Sequence, residues 1–226
     1  MSELVTVKNL TVAYGSNVVI SSASFIIKKG DFICVVGQNG SGKSTLIKAL
    51  LGLIRPRSGK ISFGQGIKQN SIGYLPQEPK QFQNFPASVF EIVLSGTLGR
   101  LGHLPFYRKE DRIRAESSLD TLNIKNLKDK KFSELSGGQK QKVLLARALA
   151  ATSSFLILDE PSNNLDHASR KSFYETLKSL NKNTGLTILM ITHDLDSEDL
   201  IGNKVLSLKN GKISSFTTVD FLRRYK

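Results

Sequence analysis

The sequence predicts an α/β domain carrying an all-helical insertion, and three observations lead there. Phe32-Ile33-Cys34-Val35-Val36 is continuously apolar, as expected of a strand buried on both faces of a parallel sheet, and it runs straight into a glycine-rich loop. From about Phe82 to Ala151 the apolar spacing turns helical, in the groups Val89/Ile92/Val93, Ile113/Leu119/Leu122 and Val143/Leu144/Ala148. After that stretch, alternation of apolar runs with helical segments resumes at Phe155–Leu158.

Each element has its own signal. Leu4–Leu10 and Val18–Ile27 are β-branched and partly alternating, with Tyr14-Gly15-Ser16-Asn17 as the turn between two strands. A helix is expected over Lys43–Leu53, ending near Gly52 and Pro56, followed by short strands at Ile61–Phe63 and Ile72–Leu75. Pro86, Pro105 and several glycines break the helical stretch, whose last helix is placed over Gln139–Ala151. A helix over Ala168–Leu180 and a strand over Thr187–Ile191 follow. Two final strands, Lys204–Leu208 and Lys212–Phe216, are joined by Asn210-Gly211, a hairpin dipeptide.

A chain of 226 residues can bury roughly 70% of its unfolded surface, enough for one domain with a subdomain insert. No apolar run approaches the roughly 18 residues a membrane helix needs. Met1-Ser2-Glu3 lacks the start of a signal peptide, and the single cysteine, Cys34, fits a reducing compartment. An intracellular, soluble protein is therefore expected. The net charge of +13, from 32 basic and 19 acidic residues, fits nucleic-acid or membrane-surface binding and fits a merely solvated surface. Basic residues in Arg100–Lys131 are diluted by acids, and no aromatic-rich basic stripe offers bases a stacking platform.

Two motifs carry chemistry. Gly37-Gln38-Asn39-Gly40-Ser41-Gly42-Lys43-Ser44-Thr45 matches the phosphate loop G-x-x-x-x-G-K-[ST], placed as it must be between a buried strand and a helix. Its glycines let backbone N–H groups wrap phosphates at a helix N-terminus; Lys43 would reach the outer phosphates and Ser44 would ligate Mg²⁺. Phe155–Leu158 ends in Asp159-Glu160, a metal-holding carboxylate followed by one able to polarise an attacking water. An ordinary phosphate-loop kinase or GTPase is disfavoured by Leu135-Ser136-Gly137-Gly138-Gln139 and by the lack of a guanine-reading Asn-Lys-x-Asp.

Leu135-Ser136-Gly137-Gly138-Gln139, together with these motifs, resembles the signature of the ATP-binding-cassette (ABC) ATPases. The resemblance implies a P-loop NTPase (RecA-like) core with an N-terminal antiparallel β subdomain and an inserted α-helical subdomain. It implies one cassette over 1–226, with 1–81 and 152–226 as the nucleotide-binding lobe and 82–151 as the helical subdomain. ATP and Mg²⁺ are the implied cofactors. Tyr14 lies where the family stacks an aromatic ring on adenine; standing alone, it would read as a turn or core tyrosine. The family's nucleotide contacts fall on Gly37, Asn39, Gly40, Ser41, Gly42, Lys43, Ser44 and Thr45. Its magnesium ligands fall on Ser44, Gln77 and Asp159, and its catalytic groups on Glu160, Gln77 and the switch histidine His193. Asp166 closes the D-loop Ser162–Asp166. Ser136, Gly137, Gly138 and Gln139 would act on a nucleotide held by a second copy, so a homodimer is implied in the ATP-bound state.

The stretches Asn84–Gly96, Gly99–Gly102, Ile72–Gln77 and Lys171–Tyr174 resemble the zinc/manganese importer branch, while Asn164-Leu165-Asp166 departs from its D-loop texture. Iron-chelate importers are the nearest competitor. Soluble ABC proteins acting on nucleic acid, ribosomes or iron–sulfur assembly form a third class, although no second cassette, coiled coil or zinc insert is present; no nucleic-acid partner is expected. The branch implies an integral membrane permease, an extracytoplasmic metal-binding protein, and a cytoplasmic position on the inner face of the cell membrane. Gln77–Glu91, with Phe82, Phe85, Pro86 and Val89, is the expected docking segment.

Overall fold

In the computed structural model, residues 2–64, 67–77, 86–102, 106–163, 165–192 and 200–225 are described. The chain forms two compact units, Met1–Gln69 with Leu180–Lys226, and Asn70–Ser179. The expected helical span 82–151 lies wholly inside the second unit. That unit is wider because it also holds two strands and most of a further helix.

In the first unit, β1 (Glu3–Tyr14) and β2 (Asn17–Lys28) pair antiparallel across a two-residue turn, with Tyr14 opposite Asn17 and Gly15 at φ 59°. β4 (Ser58–Phe63) adds to the other edge of β1. Both long strands exceed the expected bounds. Their alternation is only partial in the sequence because the pairing is broken by bulges, the clearest at Asn9. There the backbone takes φ 47°, and the Asn9 N–H donates to Ser24 Oγ at 2.8 Å. Such a bulge inserts a residue and flips the facing of those beyond it.

A second sheet of this unit runs β7-β3-β8-β9. β3 (Phe32–Val36) pairs parallel with β7 (Thr187–Ile191) on one side and β8 (Lys204–Lys209) on the other. Every residue of β3 and β7 is buried, which explains their unbroken apolar runs; Cys34 is one of these core residues. β9 (Lys212–Thr217) returns antiparallel through Asn210 (φ 49°) and Gly211 (φ 73°), the left-handed pair the dipeptide predicts. α1 (Lys43–Leu50) starts directly on the glycine-rich loop and is shorter than expected, because the chain leaves the helix at Gly52, φ 71°. An unexpected helix, α7 (Thr218–Tyr225), closes the chain. Its signal is present in the sequence: Thr217 and Asp220 are a capping pair, with Asp220 N–H donating to Thr217 Oγ1 at 3.1 Å.

In the second unit β5 (Gly73–Leu75) lies parallel to the fully buried β6 (Phe155–Asp159). α2 (Val89–Ser95) is opened by a capping box between Ser88 and Glu91. α3 (Leu98–Leu101) and α4 (Lys109–Thr121) come next. α5 (Gly137–Ala151) is the axis of the unit, touching α2, α4 and β5. α6 (His167–Thr184) begins here and ends in the first unit. The stripe that α4 buries is Asp111, Ala115, Ser118 and Leu119, whereas Ile113 is 56% exposed and is not a core residue. Ile113 is six positions before Leu119, which sets the two about 120° apart around the helix and leaves Ile113 off the buried stripe.

Close approach to α5 explains two glycines. A Cβ on Gly73 would strike the Ala148 carbonyl, and one on Gly96 the Arg147 carbonyl. Gly96 has helical φ −61°, so alanine there would gain about 1 kcal/mol by propensity if space allowed. Gly96→Ala is therefore expected to lower stability by about 1–3 kcal/mol, read as a fall in the thermal midpoint. Gly137→Ala, whose Cβ meets nothing within 4 Å, should not lower it.

Candidate functional site

The phosphate loop leaves the end of β3 in the first unit. Gly37 has no room for a side chain: a Cβ would press on the Leu208 carbonyl and on Ser41 Oγ at 2.7 Å. Gly40 (φ 78°) and Gly42 (φ 107°) take conformations that L side chains avoid, and Gly42 caps α1. Lys43 is buried, and its ammonium spans the loop, donating to Gly37 O at 2.8 Å and Gln38 O at 3.1 Å. Ser41 Oγ is buried with no hydrogen-bond partner. A buried cation held by weak carbonyl acceptors, a polar atom without a partner and glycines at a helix N-terminus together fit a polyphosphate.

A cavity of about 310 Å³ adjoins the outside of this loop, walled by the β1–β2 hairpin at Val18 and Val19, the loop at Asn39–Ser41, and the β8–β9 turn at Lys209 and Asn210. Tyr14 stands 48% exposed at the end of β1 and is not among its walls. Ser44 is exposed and Thr45 buried in the first turn of α1.

The second unit gathers the carboxylates. Asp159 ends β6 and is buried. Tyr74 pairs with Ile157 in the parallel register, so Asp159 lies two residues further along the same face. The Tyr74 hydroxyl hydrogen-bonds Asp159; burial, then the charge of Asp159, pushes the phenol up to about 12. Glu160 comes next in the left-handed region at φ 46°, a conformation that costs a non-glycine residue about 1–3 kcal/mol. Its Oε2 accepts from Gln77 Nε2 at 2.6 Å and from Asn163 Nδ2 at 2.5 Å.

The loop beyond Glu160 is fastened twice. Gln141 Nε2 from α5 donates to Pro161 O at 2.5 Å, and the Ser162 hydroxyl meets the Tyr174 hydroxyl of α6 at 2.8 Å in a buried pair. Asp166 caps the start of α6, accepting from Ser169 N–H at 2.9 Å and Ser169 Oγ at 2.7 Å. The bond from the Ser169 hydroxyl, then that from its N–H, holds the Asp166 carboxyl below its usual range.

α5 begins at Gly137, two residues before the expected start, because Ser136 is its N-cap. Ser136 Oγ accepts from Gln139 N–H at 3.4 Å, and Gln139 Oε1 accepts from Ser136 N–H at 3.1 Å. A Cβ on Gly138 would stand 3.2 Å from Ser169 Oγ, a tight contact where α5 and α6 begin.

Of the expected site residues, Gln77, Asp159 and Glu160 are together in one unit, and the phosphate loop, with Ser44 and Lys43, is in the other. His193 lies outside the described residues, as do Phe82 and Phe85 of the expected docking segment. Sequence reasoning passed over Asn163 and Tyr74. A loop asparagine gives no signal, while the tyrosine is legible only once β5 and β6 are known to pair.

The family model described as ABC transporter matches residues 20–163, more than half of the chain. This chain belongs to the ABC transporter family. ZnuC, a high-affinity zinc uptake ATP-binding protein of Bacillus subtilis, is 36% identical over 92% of both chains. AdcC, a zinc transport ATP-binding protein of Streptococcus pneumoniae, is 37% identical over 84% of this chain and 83% of its own. YfeB of Yersinia pestis, named for chelated iron transport, is 39% identical over 84% of this chain and 66% of its own. The dimeric structure of the bacterial cassette MJ0796 superposes with a TM-score of 0.75 at 26% identity, covering 95% of this chain and 99% of that one. The fold is therefore that of an ABC ATPase cassette, the P-loop NTPase class the motifs implied.

Proposed function

We propose that this ABC ATPase hydrolyses ATP to power import of a divalent metal ion, zinc or manganese, through a separate membrane permease. The observation that carries the ATPase half is the pair of prepared groups: an anion cradle around Lys43 and a carboxylate, Glu160, held at the end of β6. The zinc-uptake relative alike over 92% of both chains supports the metal half. No helix among the described residues is long and apolar enough to cross a membrane, so this reading assigns the pathway to a permease.

In this reading Lys43 exchanges the carbonyls of Gly37 and Gln38 for phosphate oxygens, Ser41 gains the partner its hydroxyl lacks, and Asn39, Gly40, Gly42 and Thr45 complete the wrap. Tyr14 stacks on adenine, an interaction worth about 1–3 kcal/mol by analogy with base stacking. Ser44, Gln77 and Asp159 would hold Mg²⁺, which when bound would supply neutralising charge at the outer phosphates. Glu160 takes a proton from the attacking water, and His193 donates to the γ-phosphate. Ser136, Gly137, Gly138 and Gln139 act on the nucleotide of a second copy, and Asp166 lies on the same face of each cassette. Residues 82–151 form the functional helical subdomain, docked to the permease through Gln77–Glu91. The subunit works on the cytoplasmic face of the membrane, and an extracytoplasmic protein delivers the metal.

Three measurements test this. Glu160→Gln should bind ATP yet lose at least ~10²-fold in turnover and accumulate as an ATP-bound dimer in gel filtration. Wild-type turnover would remove Glu160 as the base. Ser136→Arg should abolish turnover while fluorescent-nucleotide binding persists; retained turnover would argue against action in trans.

The transported ion should bind elsewhere. A zinc site needs about four clustered ligands, or three and water. No group of three or more His, Cys, Asp or Glu residues poised for a metal occurs among the described residues. Calorimetry on the nucleotide-free subunit should therefore give no stoichiometric zinc or manganese site, and a submicromolar one would overturn this division of labour.

A further inference from the structure

We propose that Asn163 is a positioning residue for Glu160: its carboxamide and that of Gln77 hold one carboxylate oxygen from two sides. The inference rests on the reading of Glu160 as the base and adds a residue which that reading does not use. Gln77 lies just past β5 and Asn163 lies in the loop after β6, so the two donors reach Oε2 from separate segments. Gln77 Nε2 donates at 2.6 Å and Asn163 Nδ2 at 2.5 Å, so both amides are within hydrogen-bond reach of the same oxygen.

A single donor leaves a carboxylate free to pivot about the bond; a second removes that freedom. This matters for a base, because proton transfer requires hydrogen-bond reach to the water, and a misplacement of about 1 Å can lower the rate ~10²-fold. Glu160 needs such restraint more than most residues, since its backbone sits at φ 46°.

Asn163 is suited to the task because its own loop is fixed. Pro161 is held by Gln141 of α5, and Ser162 by Tyr174 of α6. The Asn163 N–H also turns back on Glu160 O at 3.4 Å, closing the turn that brings the amide beside the carboxylate. The position of the base is thus referred to the packing of two helices rather than to one flexible side chain.

Two variants of the full-length subunit separate a donor from a space-filler. Asn163→Ala deletes the donor. Asn163→Asp keeps its shape and puts an acceptor against an acceptor. A positioning donor predicts that kcat falls about tenfold in the alanine variant and further in the aspartate variant, with KM for ATP and the thermal midpoint unchanged. Wild-type kcat in either variant would overturn the proposal, as would losses confined to KM or to thermal stability. Glu160→Gln, assayed alongside, separates the two levels. Wild-type turnover there takes down the base and with it Asn163, whereas loss there with unchanged kcat in the Asn163 variants takes down Asn163 alone.

Discussion

The left-handed turn at Glu160 is the constraint on which the carboxylate cluster at the end of β6 depends. β6 is buried along all five residues, so it can end only where the chain can reverse and where a charge can find partners. Asp159 meets Tyr74 at the last buried position, and Glu160 turns out of the strand at φ 46°. The strain is offset by a cluster of hydrogen bonds around the turn: Gln141 on Pro161, Tyr174 on Ser162, and the amides of Gln77 and Asn163 on the carboxylate. Two carboxylates adjacent in sequence thereby acquire different surroundings. One is enclosed beside a phenol, and the other is held at the rim by amides.

Electrostatics prepares the phosphate loop in the opposite sense. A chain of net charge +13 has no shortage of cations, yet Lys43 differs from the surface lysines in being buried and bonded to loop carbonyls. Its carbonyl partners are neutral, so an arriving polyphosphate offers the ammonium a stronger acceptor than it leaves. The same loop holds a serine hydroxyl without a partner. Both features favour an anion.

In the signature segment, atoms that the proposed function uses also set where α5 begins. Ser136 caps α5 through Gln139, which satisfies a helix-end donor and sets where the helix begins. Gly138 sits against Ser169, which itself answers to Asp166. Asp166 is thus a helix cap within the chain itself. Their shared neighbourhood explains why small and capping residues recur at these two helix starts.

Local chemistry made much of this legible in the sequence. The phosphate loop needs glycines, lysine and a preceding apolar strand at fixed spacing, so Gly37–Thr45 declares itself, as do Phe155–Glu160 and the Asn210-Gly211 turn. The Thr217–Asp220 cap of α7 was equally readable, while Ile113 shows that apolar residues within a helical stretch need not share a face. What tertiary structure alone decided are the pairings between segments far apart in the chain: Tyr74 with Asp159, Gln77 with Glu160, Gln141 with Pro161. These depend on β5 lying beside β6 and on α5 packing against β5. The short-range contact of Asn163 with Glu160 requires a backbone at positive φ, which no side-chain pattern announces. Composition and spacing determine which groups a chain can bring to a site; their distances and partners are set only by packing.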